Sequence, residues 1–420
     1  LTLRILSTWS NSGGINILES WVVTGDHYSG YSIDSPIELA GSPNGLGSGS
    51  YTLTDDGTIH TPRTFEEHGI STSANGARFV HAADVDGDGD MDVLSASRDD
   101  DKIAWYENDG SESFAEHVIS TSADKARSVH AADVDGDGDI DVLSASSDDD
   151  KIAWYENNGS EGFSEHVISL SVDAAWSVYA ADVNGDENMD VLFVSRDDDK
   201  IGWYENDGSE SFTERVISTS ADAAYDVHAA DVDGDGDMDV LSASGNDDKI
   251  AWYENNGSES FTEHVISTSA NNGRSVYVAD VDGDGDMDVL SASYDDNKIA
   301  WYENDGSESF TEHVISTSAN FAYSVHAADM DADGDLDILS ASINNDKIAW
   351  YENDGNESFA EHAISTSADG AFSVYAVDVD GDGDMDVLSA SMNDNKIAWY
   401  ENQDNSIDWQ IPDVSGEGHM

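Results

Sequence analysis

The chain is 420 residues long, with 16 Lys plus Arg against 89 Asp plus Glu and a formal charge of −73. That surplus argues against nucleic acid, whose phosphates would be repelled, and against an anionic membrane surface; no apolar run approaches the roughly 20 residues that span a bilayer, which argues against membrane insertion. Cysteine is absent, so no disulfide staples the fold and the redox compartment goes unreported.

Residues 1–63 carry no repeat. Leu1–Trp9 and Ile15–Val23 read as strands from their alternation and β-branched residues. Gly41–Ser50 is a loop by composition, and Tyr51–Thr54 a further short strand. This predicts a small β appendage or the remnant of a neighbouring domain. Leu1 is not followed by the basic and apolar runs of a secretion signal.

From residue 64 the chain becomes periodic. The stretch Asp84-Val-Asp-Gly-Asp-Gly-Asp-Met-Asp92 recurs, with variations, from Asp133, Asp182, Asp231, Asp280, Asp329 and Asp378, each start 49 residues after the last. Seven equal copies imply seven copies of one structural unit. After the first acidic loop come Asp92–Ser97, a polar turn, Lys102–Asn108, a Gly-containing turn, Phe114–Ser120 and the small strand Ser128–Ala132. Four short β-type runs per period leave no room for a helix. The expectation is an all-β, seven-bladed β-propeller of four-stranded blades over residues 64–402, with the Ser-Val-His-Ala-Ala strand innermost. Phe65–Ser71 has no blade of its own and should complete the seventh, in preference to Ser406–Ile411 in the tail of residues 403–420.

The acidic loop reads as a calcium site. Ca²⁺ takes six to eight hard oxygen ligands. Counting from the first residue, position 1 is Asp84, Asp133, Asp182, Asp231, Asp280, Asp329 and Asp378. Position 3 is Asp86, Asp135, Asn184, Asp233, Asp282, Asp331 and Asp380; position 5 is Asp88, Asp137, Asp186, Asp235, Asp284, Asp333 and Asp382. These side chains should wrap one ion. Position 7 (Asp90, Asp139, Asn188, Asp237, Asp286, Asp335 and Asp384) should offer its backbone carbonyl, with its side chain in solvent. Position 9 (Asp92, Asp141, Asp190, Asp239, Asp288, Asp337 and Asp386) closes the shell as the next strand begins. Carboxylates this dense repel one another unless a cation joins them. Up to seven Ca²⁺ are expected. The Asp182–Asp190 copy should be weakest, because it loses a carboxylate at Asn184 and a glycine at Glu187.

This loop, followed by an apolar strand and a turn with Asn-Asp-Gly and Phe, resembles the FG-GAP/VCBS repeat. That family includes the propeller of integrin α subunits, a group of fungal lectins and many secreted bacterial proteins. The resemblance implies a seven-bladed propeller with Ca²⁺ in loops between the first and second strands of blades, and a place outside the cell or on its surface. It implies no single function, because propellers host many.

Near-identical copies make their differences informative. Just before the inner strand one position reads Arg78, Arg127, Trp176, Tyr225, Arg274, Tyr323 and Phe372. After the second strand another reads Arg98, Ser147, Arg196, Gly245, Tyr294, Ile343 and Met392. In an up-and-down blade both loops emerge on one face, opposite the acidic loops, and the first set should ring the channel mouth. Arg and aromatic residues dominate recognition surfaces, so the expected partner is a glycan or a protein. Trp105 and its six equivalents should pack between blades. His68, His117, His166, His264, His313 and His362 fall on the outer strand, where the fourth copy has Arg215. His81, His130, His228 and His326 alternate with Tyr179, Tyr277 and Tyr375 on the inner strand and should line or flank the channel. Asp99–Asp101 read as solvated turn residues. No copy shows a base or nucleophile the others lack, which weighs against catalysis. The alternatives are a polysaccharide-active enzyme of lyase type and a structural adhesin segment of a longer chain.

Overall fold

The structure, a computed structural model, describes residues 2–5, 8–10, 16–18, 21–24, 50–53, 59–60 and 63–403. The chain divides into two units, Leu1–Thr64 with Gln403–Met420, and Phe65–Asn402. In the first, Trp21–Thr24, Thr2–Ile5, Ser50–Leu53 and Ile59–His60 form an antiparallel sheet in that order, and Thr8–Ser10 pairs with Asn16–Leu18. Ser406–Ile411 lies outside the described residues.

The second unit is a seven-bladed propeller of four-stranded antiparallel sheets. In blade 1 the strands run, from the channel outward, Ala77–Ala83, Asp92–Ser97, Lys102–Asn108 and Phe114–Ser120. The second strand, Asp-Val-Leu-Ser-Ala-Ser, is buried along its whole length because both faces are covered by neighbouring blades. The outermost strand has mixed exposure, as a blade edge should.

Packing is distributed over the seven junctions between blades. At the first junction, Val85, Leu94, Ile103 and Trp105 of one blade meet Ala126, Val129, Val142 and Tyr155 of the next. Six similar clusters complete the ring, including one that joins Trp399 and Leu388 to Val80 and Tyr106. The seven tryptophans are therefore inter-blade wedges, each at most 4% exposed.

The ring is closed by the strand that precedes the first repeat. Thr64–Ser71 is the outer strand of blade 7, beside Lys396–Gln403. Glu67 accepts from Lys396 Nζ at 2.7 Å, and the His68 ring stacks 4.5 Å from Trp399. A second tie runs round the ring. Asn157 Nδ2 donates to the Val85 carbonyl of the preceding blade, and Asn108 Nδ2 makes the same bond to Val379 across the closure, both at 2.9 Å.

Two features differ from the sequence expectation. Asp101 and its equivalents are not solvated turn residues. Asp101 sits at φ 57° and its carboxylate accepts from Lys125 N at 3.0 Å, capping the loop of the next blade. Asp100 accepts from Asn75 N and lies 3.6 Å from Lys102. Only Asp99 of the three is exposed. Blade 3 also departs from the others. Phe193 replaces a buried serine, and Gly202 stands where the other blades have alanine. A Cβ at Gly202 would lie 2.7 Å from the Arg215 carbonyl oxygen and 2.8 Å from the Phe193 ring, so the small residue accommodates both the large one and the close backbone.

Candidate functional site

The acidic loops link the inner strand to the second strand. In the first, Asp84 accepts from Gly87 N at 2.8 Å and Gly89 N at 3.1 Å, which winds the backbone around its carboxylate. Asp86 accepts from Asp88 N, and Asp88 from Asp90 N. Gly89 adopts φ 101°, a conformation that favours glycine. The loop thus gathers ligand atoms of Asp84, Asp86 and Asp92 within 4.8 Å of one another, and the same three positions converge in the second, fourth and fifth loops. Burial, with Asp86 and Asp88 nearby, pushes Asp92 up to about 7 despite hydrogen bonds from Asn108 N and Val85 N. Convergent hard oxygens bearing unbalanced charge are a donor set that fits a hard divalent cation.

Position 7 corrects the expectation of a solvated side chain. Asp90 packs against the Gly110 turn so closely that a Cβ there would collide with its carboxylate, and Asp139, Asn188, Asp237, Asp286 and Asp335 meet the equivalent glycines likewise. Tight contact with the next turn is why the first six periods carry a glycine there. The third loop is cross-linked by amides: Asn184 Nδ2 and Asn188 Nδ2 donate to Asp186 at 3.2 and 2.9 Å. Glu187 occupies φ 71° where other loops use glycine.

Halfway along the channel the inner strands build a closed aromatic girdle. His81, His130, Tyr179, His228, Tyr277, His326 and Tyr375 touch in sequence, with ring centroids 4.5–5.1 Å apart, and Tyr375 returns to His81 at 4.9 Å. Burial holds the imidazoles neutral: His81 and His228 are pushed down to about 4 and His326 to about 3. On the outer strands, His117 stacks on Trp105 at 4.5 Å and bonds Glu107 at 2.8 Å. Five further histidines repeat this pairing, and in blade 3 Arg215 takes the histidine's place and pairs with Glu205.

The mouth is set by a backbone irregularity. In blade 1 Ala77 pairs with Ser97 and Phe79 with Ala96, leaving Arg78 as the extra residue of a β-bulge. The same slip isolates Arg127, Trp176, Tyr225, Arg274, Tyr323 and Phe372. Bulges re-aim side chains, and here all seven line one open cavity with about 370 Å³ of empty space. Arg78 lies over Phe372 at 4.1 Å, Arg127 over Trp176 at 4.0 Å, and Arg274 over Tyr225 at 3.7 Å and Tyr323 at 5.5 Å. Trp176 meets Tyr225 at 5.1 Å, and Tyr323 meets Phe372 at 3.6 Å. From the second variable loop, Arg196 reaches Trp176 at 4.7 Å, Tyr294 stacks on Phe321 at 4.2 Å, and Ser147 Oγ accepts from Arg127 Nε at 3.0 Å.

Charge separates these arginines from the other blade cations. Each strand lysine, from Lys102 to Lys396, pairs with a glutamate of the neighbouring strand. Arg98, Arg196 and Arg215 are paired too. Among the described residues, Arg78, Arg127 and Arg274 form no ion pair, and the Nε atoms of Arg78 and Arg274 are buried without a hydrogen-bond partner.

The cavity floor holds residues that sequence reasoning missed. One position further along the inner strand lie Phe79, Ser128, Ser177, Asp226, Ser275, Ser324 and Ser373. Ser128, Ser275, Ser324 and Ser373 accept from Val178, Val325, Val374 and Val80 N. Asp226 is the lone acid. It accepts from Ser177 Oγ at 3.0 Å and Val276 N at 3.1 Å, and burial pushes it up to about 6. Aligning the seven copies at this position, and not only at the bulge, would have exposed it.

Comparison with known proteins bears on this architecture. The model of the FG-GAP-like repeat matches six overlapping segments, residues 84–144, 133–193, 182–242, 231–291, 280–340 and 329–389. No curated protein matches the chain in sequence. Among solved structures, an Agrocybe aegerita lectin that recognises non-reducing terminal N-acetylglucosamine is similar with 17% identity and a TM-score of 0.51, over 75% of this chain and 94% of that one. Virginiamycin B lyase from Staphylococcus aureus is similar with 15% identity and a TM-score of 0.57, over 80% and 99%. BBS1N, in complex with ARL6DN, is similar with 12% identity and a TM-score of 0.57, over 83% and 98%. At these identities the likeness is one of fold. Among the described residues, no helix is long and apolar enough to cross a membrane.

Proposed function

The chain belongs to the FG-GAP-like repeat family, and from that premise we propose that it is a secreted or cell-surface binding module whose ligand, a glycan or a partner protein, docks at the channel mouth. One observation carries this reading: in a chain of net charge −73, three arginines at the mouth are left without an acidic partner. Drift at a tolerant loop tip would not keep cations stacked on aromatic faces and the Nε groups of Arg78 and Arg274 unused. Ca²⁺ in the acidic loops braces the scaffold on the opposite face, held by the carboxylates at positions 1, 3, 5 and 9. The third loop is the weakest site, since amide donors already occupy Asp186.

The test is a glycan and protein-ligand screen of the full chain with Ca²⁺, repeated on Trp176→Ala/Tyr225→Ala/Tyr323→Ala. Loss of binding in that variant supports the mouth; unchanged affinity moves the site elsewhere. A second reading, an enzyme of lyase type, draws support from Asp226, an acid found in one blade only and raised towards neutral pH. Turnover of an acidic polysaccharide that disappears in Asp226→Asn, with binding retained, would favour it. A structural adhesin segment would show neither binding at the mouth nor turnover.

A further inference from the structure

We propose that the junction of blades 1 and 2 at the mouth is an oxyanion subsite, where a carboxylate or sulfate of an acidic sugar residue bridges Arg78 and Arg127. This rests on the mouth being the binding surface. It goes further by naming the chemical class of ligand and the point where its charge sits.

Six of the seven junctions around the mouth are closed by a ring–ring or cation–ring contact of 3.6–5.5 Å. The seventh, between Arg78 and Arg127, sets two guanidinium groups beside each other with no acid between them. Each turns to an aromatic ring on its far side, Phe372 or Trp176, and the near side is left to repulsion. Arg78 is only 6% exposed, yet its Nε has no partner. Burial and the neighbouring Arg98 and Arg127 push Arg78 down to about 10, so it stays a cation at neutral pH. An unpaired buried cation is costly, and a ligand oxyanion would relieve that cost with charge-assisted bonds.

The floor beneath this junction selects the ligand further. Ser128 and Ser373 use their oxygens to accept backbone N–H groups. Each hydroxyl proton is thereby still available to donate to a ligand. The subsite thus offers two guanidinium groups and two hydroxyl donors, with the cavity's one acid, Asp226, in blade 4. A sugar residue supplies acceptors at several points, its anionic group, hydroxyls and ring oxygen. An aspartate or glutamate side chain supplies only its carboxylate and would leave the serines unused.

The experiment is calorimetric titration of the full chain in Ca²⁺ buffer at fixed ionic strength. The probes are trigalacturonate, neutral galactotriose, a sulfated galactotriose and an Asp-rich hexapeptide. The proteins are the parent, Arg127→Gln, Arg127→Lys, Trp176→Ala and Arg215→Gln, the last a distant change of equal charge. Melting curves confirm folding; Arg78→Gln is added if it melts like the parent. At least one acidic trisaccharide should bind better than the neutral one, and its preference for carboxylate or sulfate identifies the oxyanion. Arg127→Gln should weaken that probe about 30-fold or more, Arg127→Lys should weaken it less, and Arg215→Gln should leave it within about twofold. Equal binding of acidic and neutral sugars, unaffected by Arg127→Gln but lost in Trp176→Ala, would overturn the subsite and leave the mouth standing. Tight binding of the hexapeptide with none of the sugars would also overturn it, in favour of a protein partner. Binding of no probe by the parent would overturn the proposal as stated.

Discussion

Closing a ring with a strand from its own N-terminal side makes a sharp demand on residues 63–72. The perturbation is a pair of truncations, one removing residues 1–62 and one removing residues 1–72; their difference isolates the outer strand of blade 7. Phe65 packs edge-on to Trp350 at 6.1 Å, His68 covers Trp399, and Ile70 joins the core between blades 7 and 1. Half-burial of Phe65 and Ile70 contributes roughly 1 kcal/mol each, and uncovering Trp399 costs about 2 kcal/mol. Each backbone hydrogen bond of the lost ladder adds roughly 1 kcal/mol. The half-exposed Lys396–Glu67 pair contributes little. The sum, roughly 5–10 kcal/mol, is comparable with the whole stability of a typical protein. Urea unfolding with Ca²⁺ present, followed by tryptophan fluorescence, is the assay. The longer truncation should unfold at far lower urea than the shorter one, and a synthetic peptide of residues 63–72 should restore part of the loss. Equal midpoints would refute closure by this strand.

In blade 3, Gly202→Ala should destabilise by about 1–3 kcal/mol through overpacking against Phe193, whereas in a Phe193→Ser background it should cost less, leaving only the shift of the Arg215 carbonyl; an additive double-mutant cycle would break the argument. In the channel, His81 is held neutral by burial down to about pH 4, so the unfolded state binds the extra proton between about pH 6.5 and pH 4. Its contribution to stability is therefore complete above that window and is lost as pH falls through it. His81→Tyr, matching Tyr179, should gain about 3 kcal/mol on the parent between pH 7.5 and pH 4; the titrating carboxylates cancel in this difference, and a pH-independent difference would count against a buried neutral imidazole. In the third loop, Asn184→Asp with Glu187→Gly should add one bound ion per chain when Ca²⁺ is counted after equilibrium dialysis; an unchanged count would mean that the loop already holds an ion as well as the others do.

The propeller was legible because each period repeats both its hydrophobic pattern and its turns. The strand choice at the closure was legible too, since Phe65–Ser71 matches the other outer strands residue for residue at Phe, Glu and His. The bulge was not. Nothing in Ala77-Arg78-Phe79 says that Arg78 drops out of the ladder; that follows from how Asp92–Ser97 pairs with it in three dimensions. The acidic turn was misread for a related reason. Asp101 is one of three adjacent aspartates, and only the neighbouring blade, whose Lys125 N it caps, distinguishes it from solvated Asp99. Asp226 went unread because a single aspartate is inconspicuous in so acidic a chain; its meaning comes from the serines that surround it in space.

The asparagine tie makes the seven blades interchangeable as points at which the ring could be opened. Asn157, Asn206, Asn255, Asn304, Asn353 and Asn402 each grip the loop of the blade behind, and Asn108 does the same across the closure. The wheel is therefore seamless in its bonding even though the chain is linear. Joining residue 403 to residue 63 through a short linker and reopening the chain at another surface turn, such as Asn256–Gly257, would yield a circular permutant with every tie intact. The order in which the blades are joined along the chain is thus not what holds the wheel together.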